Sequence, residues 1–240
     1  MLLLAVETST HTGSLCLAKD RHVIAVRTLQ TEGRRHAQSL VQEVALLLSE
    51  NGFTPADLRA VAVSAGPGSF TGLRVGVVFA KTLAWAAEIP LLAVDTLQAI
   101  ACQLSPDDAL ESQPPRVLVI SDAQRNEVFA SDYQWDREYA IWQRSGQIRI
   151  AALADLPPTP VVAGPAVAKH REELIASRRF LRCQEVQPHA REVAMVASHQ
   201  LSRGQLADVS QLEPVYVRPS YAEEKRMAFS SHPASGEFQK

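Results

Sequence analysis

The sequence predicts an α/β chain of two related halves, each a mixed sheet covered by helices. Three observations carry that expectation. Short apolar runs at residues 2–6, 14–18 and 23–29 are joined by turn residues and read as an antiparallel meander. Helical and strand patterns then alternate up to about residue 104. Beyond a stretch rich in Pro, Asp and Ser at residues 105–115, the pattern partly restarts, which points to duplication.

Each element has a local cause. Thr8-Ser-Thr-His-Thr-Gly13 and Lys19-Asp-Arg-His22 supply the turns of the first meander. Ala37, Leu40, Val41, Val44, Leu47 and Leu48 recur at three- and four-residue spacing, which places them on one face of a helix, and Gly52 follows as its stop. Residues 59–65 read as a strand and Gly66-Pro-Gly-Ser-Phe-Thr-Gly72 as a glycine-rich loop. A helix then runs to Ala87, before Ile89-Pro90. Residues 91–94 form a strand, and residues 96–104 a helix with Asp95 or Thr96 as N-cap.

In the second half, residues 116–121 are a strand, 122–125 a turn, 126–133 a strand, and a third strand lies around 138–144. Residues 161–163 read as a strand and 165–177 as a helix. Residues 188–203 form a last helix, with Pro188 near its first turn and Gly204 after it. The tail after about Ala222 is polar and aperiodic, and is expected to be disordered. The expected division is residues 1–105 plus about 205–222 in one domain, 106–204 in a smaller second one, and 223–240 as tail.

Composition narrows the function classes. A chain of 240 residues with 46% hydrophobic and 21% charged residues can bury a real core, so it needs neither disulfides nor a metal to fold. Its formal net charge of −2 argues against a protein that wraps nucleic acid. Cys16, Cys102 and Cys183 are few and far apart, which suits a reducing compartment. The start lacks the basic segment of a secretory signal. The most apolar stretch, residues 72–94, is interrupted by Arg74, Lys81, Glu88 and Pro90, so no membrane span is expected and the setting is read as cytoplasmic.

The loop from Gly66 to Gly72 is the most informative segment. A strand, glycines and a helix start can bind an anion. The Gly-Lys-Ser/Thr ending of a nucleotide-binding P-loop is missing, since Leu73-Arg74 follow Gly72. Spacing alone favours a tight turn, with Ser69 as a turn or N-cap residue. Gly72, Gly76, Ala80 and Ala84 recur every fourth residue along the next helix. Helical glycines cost about 1 kcal/mol each against alanine, so a close neighbour should offset them. That neighbour is either an element of this chain, such as helix 37–50, or another polypeptide. The seven histidines show no HExxH or other i,i+4 pair, so no metal site is expected. No GxSxG frame surrounds Ser69. Glu7 ends the first strand, and Asp122 and Arg125 share a turn, but no nucleophile, base and orienting group converge.

Taken together, Leu4-Ala-Val-Glu-Thr-Ser9, Arg35-His-Ala37, Gly66-Pro-Gly-Ser-Phe-Thr-Gly-Leu-Arg74, Ile89-Pro-Leu-Leu-Ala-Val94, Asp122-Ala-Gln-Arg125 and Leu212-Glu-Pro-Val-Tyr-Val-Arg218 resemble the motifs of the TsaB (YeaZ) family. The resemblance runs from residue 2 to about 220. It implies an actin-like, hexokinase-like (ASKHA) fold and a non-catalytic role in forming threonylcarbamoyl-adenosine beside the tRNA anticodon. It implies pairing with a catalytic TsaD-type relative, a TsaE-type ATPase that joins the pair, and tRNA reached through the complex. The isolated chain is expected to homodimerise. The catalytic relative carries an HxxxH metal pair, whereas His36 here stands four residues before Leu40. The expected partner interface is His36, Leu40, Gly72, Leu73, Arg74, Gly76, Val77 and Ala80. ATP or ADP at the partner junction would lie near Glu7, Gly66, Gly68 and Ser69. The alternatives are an ATP-dependent transferase or kinase acting alone and, more weakly, a metalloprotease.

Overall fold

The computed structural model describes residues 1–29, 36–109 and 114–218. Strands β1 (Leu2–Glu7), β2 (Gly13–Lys19) and β3 (His22–Leu29) form the expected meander. Helix α1 (His36–Glu50), strand β4 (Ala60–Gly66), helix α2 (Phe70–Ala87), strand β5 (Leu91–Asp95) and helix α3 (Thr96–Ala101) follow. The first sheet has the order β3-β2-β1-β4-β5. Its β1–β2 and β2–β3 pairs are antiparallel, and β1–β4 and β4–β5 are parallel.

The second half repeats that topology. Strands β6 (Arg116–Asp122), β7 (Glu127–Asp136), β8 (Ile141–Arg144), β9 (Arg149–Ala152), β10 (Thr159–Ala163) and β11 (Phe180–Gln184) build a sheet of order β11-β10-β6-β7-β8, with β9 also pairing β7. Here β6–β7 and β7–β8 are antiparallel, and β6–β10 and β10–β11 parallel. Strand for strand, β6, β7, β8, β10 and β11 occupy the places of β1, β2, β3, β4 and β5. Helices α4 (Ala166–Ala176) and α5 (Ala190–Ser202) complete the chain's regular structure.

The cores explain the layering. Strand β1 is buried on both faces, as a continuous apolar run should be. Leu2, Leu4 and Val6 point to the α1/α2 side, where Leu40, Leu47, Leu48, Val77 and Ala80 meet them. Leu3 and Ala5 point to the opposite side, against Ala190, Val193, Ala194 and Ala197 of α5. Helix α5, expected with the second half, therefore packs on the first sheet, because its apolar face matches the open side of β1 and β2. The returning segment places Ala207, Val209 and Leu212 against the α1/α2 core, and Ala207 N–H donates to the Leu91 carbonyl at 2.9 Å. A junction between the sheets is made where Tyr133 of β7 donates to Asp95 of β5 at 2.7 Å, while Asp95 also caps α3 through Leu97 N–H.

Several boundaries differ from the sequence reading. The glycine-rich loop ends at Ser69, because the Ser69 hydroxyl accepts the Gly72 N–H and starts α2 at Phe70. The strand expected around 138–144 begins at Ile141, since Ala140 adopts a left-handed turn conformation. The edge elements β9 and β11 were not anticipated. The disordered tail expected at 223–240 lies outside the described residues.

The small-residue ridge of α2 faces inward. Gly72, Gly76, Ala80 and Ala84 are buried, and the close neighbour is the end of β1 rather than α1. A Cβ on Gly72 would lie 2.0 Å from the Thr8 carbonyl oxygen, and one on Gly76 would lie 2.2 Å from Thr8 Oγ1. Thr8 Oγ1 in turn donates to the Gly72 carbonyl at 2.8 Å. Helix propensity alone would make Gly→Ala stabilising by about 1 kcal/mol. Here Gly76→Ala is expected to destabilise by about 1–3 kcal/mol through overpacking, and Gly72→Ala by more, because it meets backbone. Gly146→Ala, which faces open space, should stay within about 0.5 kcal/mol of the wild type. Urea unfolding of the three variants checks this, and a Gly76→Ala protein as stable as wild type would contradict the packing.

Candidate functional site

Where the two sheets face each other, a cleft of about 1290 Å³ opens. One wall is the β1–β2 turn, from Ser9 to Thr12, with Pro67, Gly68 and Ser69 at the start of α2. These segments are tied together by the Ser69 N–H, which donates to the Ser9 carbonyl at 2.7 Å. Gly68 is required there, since a Cβ would sit 2.6 Å from the same carbonyl oxygen. The opposite wall is the β6–β7 turn at Asp122–Arg125 with the first turns of α4, including Lys169. Gln124, Arg125 and Asn126 all take left-handed backbone angles, which asparagine tolerates better than most residues.

The closing segment 215–218 straps the two walls. Val215 N–H donates to the Ala65 carbonyl at 2.7 Å. Tyr216 accepts from Arg74 Nε at 2.8 Å and stacks near Phe70 with ring centroids 5.0 Å apart. The Arg74 guanidinium lies 3.8 Å above the Phe70 ring. Arg218 reaches across to the Ala123 carbonyl at 2.7 Å and to the Glu127 carboxylate. Arg74, expected at a partner interface, is thus held on the cleft lip by this chain's own Phe70 and Tyr216.

Of the four residues expected near a nucleotide, Gly68 and Ser69 line the cleft, while Glu7 and Gly66 do not. Gly66 is buried with a φ of +117°, and a Cβ there would meet the Val215 carbonyl at 3.0 Å. Glu7 is 0% exposed. Its Oε1 accepts the Ser9 N–H, and its Oε2 has no hydrogen-bond partner. Burial pushes the Glu7 carboxyl pKa up, and the neighbouring Ser9 and Ser64 groups only partly oppose that shift. The Glu7 carboxyl is thus sealed beneath the turn and does not line the cleft.

Most of the expected interface residues prove to be core. Leu40 is 1% exposed, and Leu73, Val77, Ala80, Gly72 and Gly76 are likewise buried. They are drawn inward by β1 and β4 and cannot present a surface. The side chain of His36 lies outside the described residues. The outward face of α2 is a different stripe, with Thr71, Val78 and Trp85 seven residues apart in sequence. Val78 is 62% and Trp85 76% exposed, and Val41 of the adjoining α1 is 61% exposed. The signal was present in the sequence, because α2 is apolar nearly all round and one buried face cannot use all of it. Among the described residues no group of three or more His, Cys, Asp or Glu side chains could hold a metal ion, and no helix is long and apolar enough to cross a membrane.

Duplicated mixed sheets with a cleft between them define the actin-like class of two-lobed α/β proteins. The family model for TsaD, tRNA N6-adenosine threonylcarbamoyltransferase, matches residues 27–226. The chain is 31% identical to the tRNA threonylcarbamoyladenosine biosynthesis protein TsaB of Escherichia coli strain K12, over 94% of this chain and 98% of that one. It is 29% identical to the TsaB of Bacillus subtilis strain 168, over 94% and 97%. The structure of YeaZ from Pseudomonas aeruginosa superposes with a TM-score of 0.72 at 28% identity, covering 90% of this chain and 99% of that one. A second Pseudomonas aeruginosa structure, described as similar to peptidase YEAZ, gives 0.77 at 27% identity with the same coverage. The chain belongs to the TsaB (YeaZ) family.

Glu7 generates a pH prediction. Its folded-state pKa is raised, so the native state holds the proton more tightly than the unfolded chain. The stability this group contributes is present in acid and is lost as pH rises from the ordinary carboxylate value of about 4.5 through the raised one. The stability of Glu7→Gln relative to wild type is therefore expected to improve as pH is raised above about 4.5, as read by urea midpoints. A difference that does not change with pH would show that Glu7 is not held protonated.

Proposed function

We propose that this chain is a non-catalytic subunit in threonylcarbamoyladenosine biosynthesis on tRNA. In this reading it docks the outward face of α2, with α1, onto a TsaD-type transferase. Two lines support this. The relatives named TsaB are named for that biosynthesis and match along nearly the whole chain. The match to the TsaD family model makes a catalytic relative of the same fold the natural partner, since helices of related halves can pack as equivalents.

The observation that carries the proposal is the stripe of Val78 and Trp85, with Val41 on α1. An exposed tryptophan beside exposed valines is the composition of a protein interface, where aromatic anchors dominate the binding energy. The complementary surface should therefore be apolar at its centre. Without the partner, the same face pairs two copies of this chain. The TsaE-type ATPase and tRNA join through the heterodimer, in the cytoplasm. The sealed Glu7 supports a reading in which the chemistry belongs to the partner.

Reconstitution tests this. With the TsaD-type and TsaE-type proteins, tRNA and the threonylcarbamoyl donor, modification should require this chain, and the chain alone should modify nothing. Trp85→Glu and Val78→Asp should keep the fold, because both side chains are exposed. They should weaken partner binding by about 30-fold or more, the scale of an interface hot spot. Full modification with the Trp85→Glu protein would overturn the docking face, and modification by this chain alone would overturn the non-catalytic role.

A further inference from the structure

The closing segment, residues 208–218, runs from the docking helix to the second sheet. We propose that this segment is a tether that transmits docking on α2 to the β6–β7 turn, so that a bound partner tightens the second half of the molecule. The route rests on the docking reading above and extends it from a surface to a response.

One end of the tether is fastened beside the docking face. Lys81 lies three residues after Val78 and four before Trp85, so it borders the outward stripe of α2. Its Nζ donates to the Leu212 carbonyl at 2.9 Å and to the Ser210 carbonyl at 3.2 Å. Arg74 sits about two turns earlier on nearly the same side of the helix and donates from Nε to Tyr216 at 2.8 Å. Phe70 stacks on the same ring, and the Val215 N–H is bonded to the Ala65 carbonyl. The closing segment is therefore held along the flank of α2 that adjoins Val78 and Trp85. A partner that orders those two side chains also restrains Lys81 and Arg74, and with them the segment.

The other end holds a strained turn. Arg218 donates to the Ala123 carbonyl at 2.7 Å and to the Glu127 carboxylate, on either side of Gln124, Arg125 and Asn126. Those three residues take φ of +63°, +53° and +59°, angles that residues with a Cβ keep only where their surroundings hold them. Inside the turn, Asp122 Oδ1 accepts the Gln124 N–H at 2.9 Å, and the Gln124 carbonyl accepts the Glu127 N–H at 2.9 Å. The duplicated fold supplies a comparison. The β1–β2 turn is sealed onto its own helix, by the Ser69 N–H on the Ser9 carbonyl and by Thr8 on the Gly72 carbonyl. The β6–β7 turn meets α4 through Lys169 and Asp122 at 3.4 Å, an exposed pair of the kind that contributes little. Arg218 takes over, from the closing segment, the part that α2 plays for the turn of the first half. The β6–β7 turn thus has a held and a released arrangement, and the tether biases the two.

Hydrogen–deuterium exchange of the full chain, free and saturated with the TsaD-type protein, tests the tether. Docking should slow exchange at residues 123–128 by about fivefold or more, the lower end of ordinary coupling between sites. Residues 180–184 of β11, at the far edge of the second sheet, should not respond. In the free chain, Arg218→Gln should speed exchange at 123–128 by about tenfold or more, through loss of a charge-assisted bond. Arg218→Lys keeps the charge without the forked geometry and should fall between. Arg218→Gln should still bind the partner, because it lies outside the docking face, but its turn should no longer respond. If Arg218→Gln does not fold, Glu127→Gln, which weakens the other half of the ion pair, takes its place in each arm. The tether is overturned if the Arg218 variant leaves the free turn unchanged or if docking leaves the wild-type turn unchanged. It is also overturned if the variant's turn slows on docking as much as the wild type's, since the partner would then touch the turn directly. A wild-type chain that binds no partner would overturn the docking reading and the transmission with it, whereas the free-chain comparison fails only if Arg218 does not hold the turn.

Discussion

The contact between the glycine ridge of α2 and the end of β1 determines most of what this protein presents to its surroundings. Gly72 and Gly76 let the helix descend until its backbone meets Thr8, closer than any side chain would permit. Thr8 then bonds back to the helix through the Gly72 carbonyl. Both glycines carry the conformational cost that glycine imposes in a helix. What offsets it is dispersion along a buried helix face and one satisfied buried hydroxyl.

Three features follow from that descent. The start of α2 is carried to the β1–β2 turn, where the Ser9 carbonyl takes the Ser69 N–H and the wall of the cleft forms. Phe70 and Arg74 come to rest against Tyr216, so the returning chain closes over the cleft and ties the first sheet to the turn of the second. The opposite face of α2 is turned outward with Val78 and Trp85 on it. The same approach buries Glu7 beneath the turn, where its carboxyl stabilises the Ser9 N–H instead of facing a ligand. A shared architecture thus yields a scaffold whose acidic residue is buried in a structural bond and whose outward helix face is apolar.

Much of the fold was legible because the signals were strong and local. The continuous apolar run of β1, the three- and four-residue spacing in α1, and Gly52 and Gly204 as helix stops all reflect backbone and burial rules that act within a few residues. The duplication was legible from the recurrence of a meander, and the matching strand orders bear it out. Strands β9 and β11 were not legible, because they are short, carry Arg149 and Arg182, and are fixed by pairing with neighbours rather than by their own pattern. The small-residue ridge was legible as a close-approach surface, but its direction was not. Spacing shows that a backbone must come near, and only tertiary packing shows that the backbone is that of Thr8. The cleft strap was invisible for a similar reason, since Arg74 and Tyr216 are 142 residues apart.

The central claim is that α2 is used on both sides, its glycine face inward on β1 and its Val78–Trp85 face outward on a partner. Single cysteines placed at Val78, at Trp85 and at the remote exposed Ile175 of α4 can be labelled with a maleimide, with and without saturating TsaD-type protein. The account predicts that labelling at 78 and 85 is suppressed in the complex while labelling at 175 is unchanged. Unaltered reactivity at 78 and 85 in a saturated complex would contradict it.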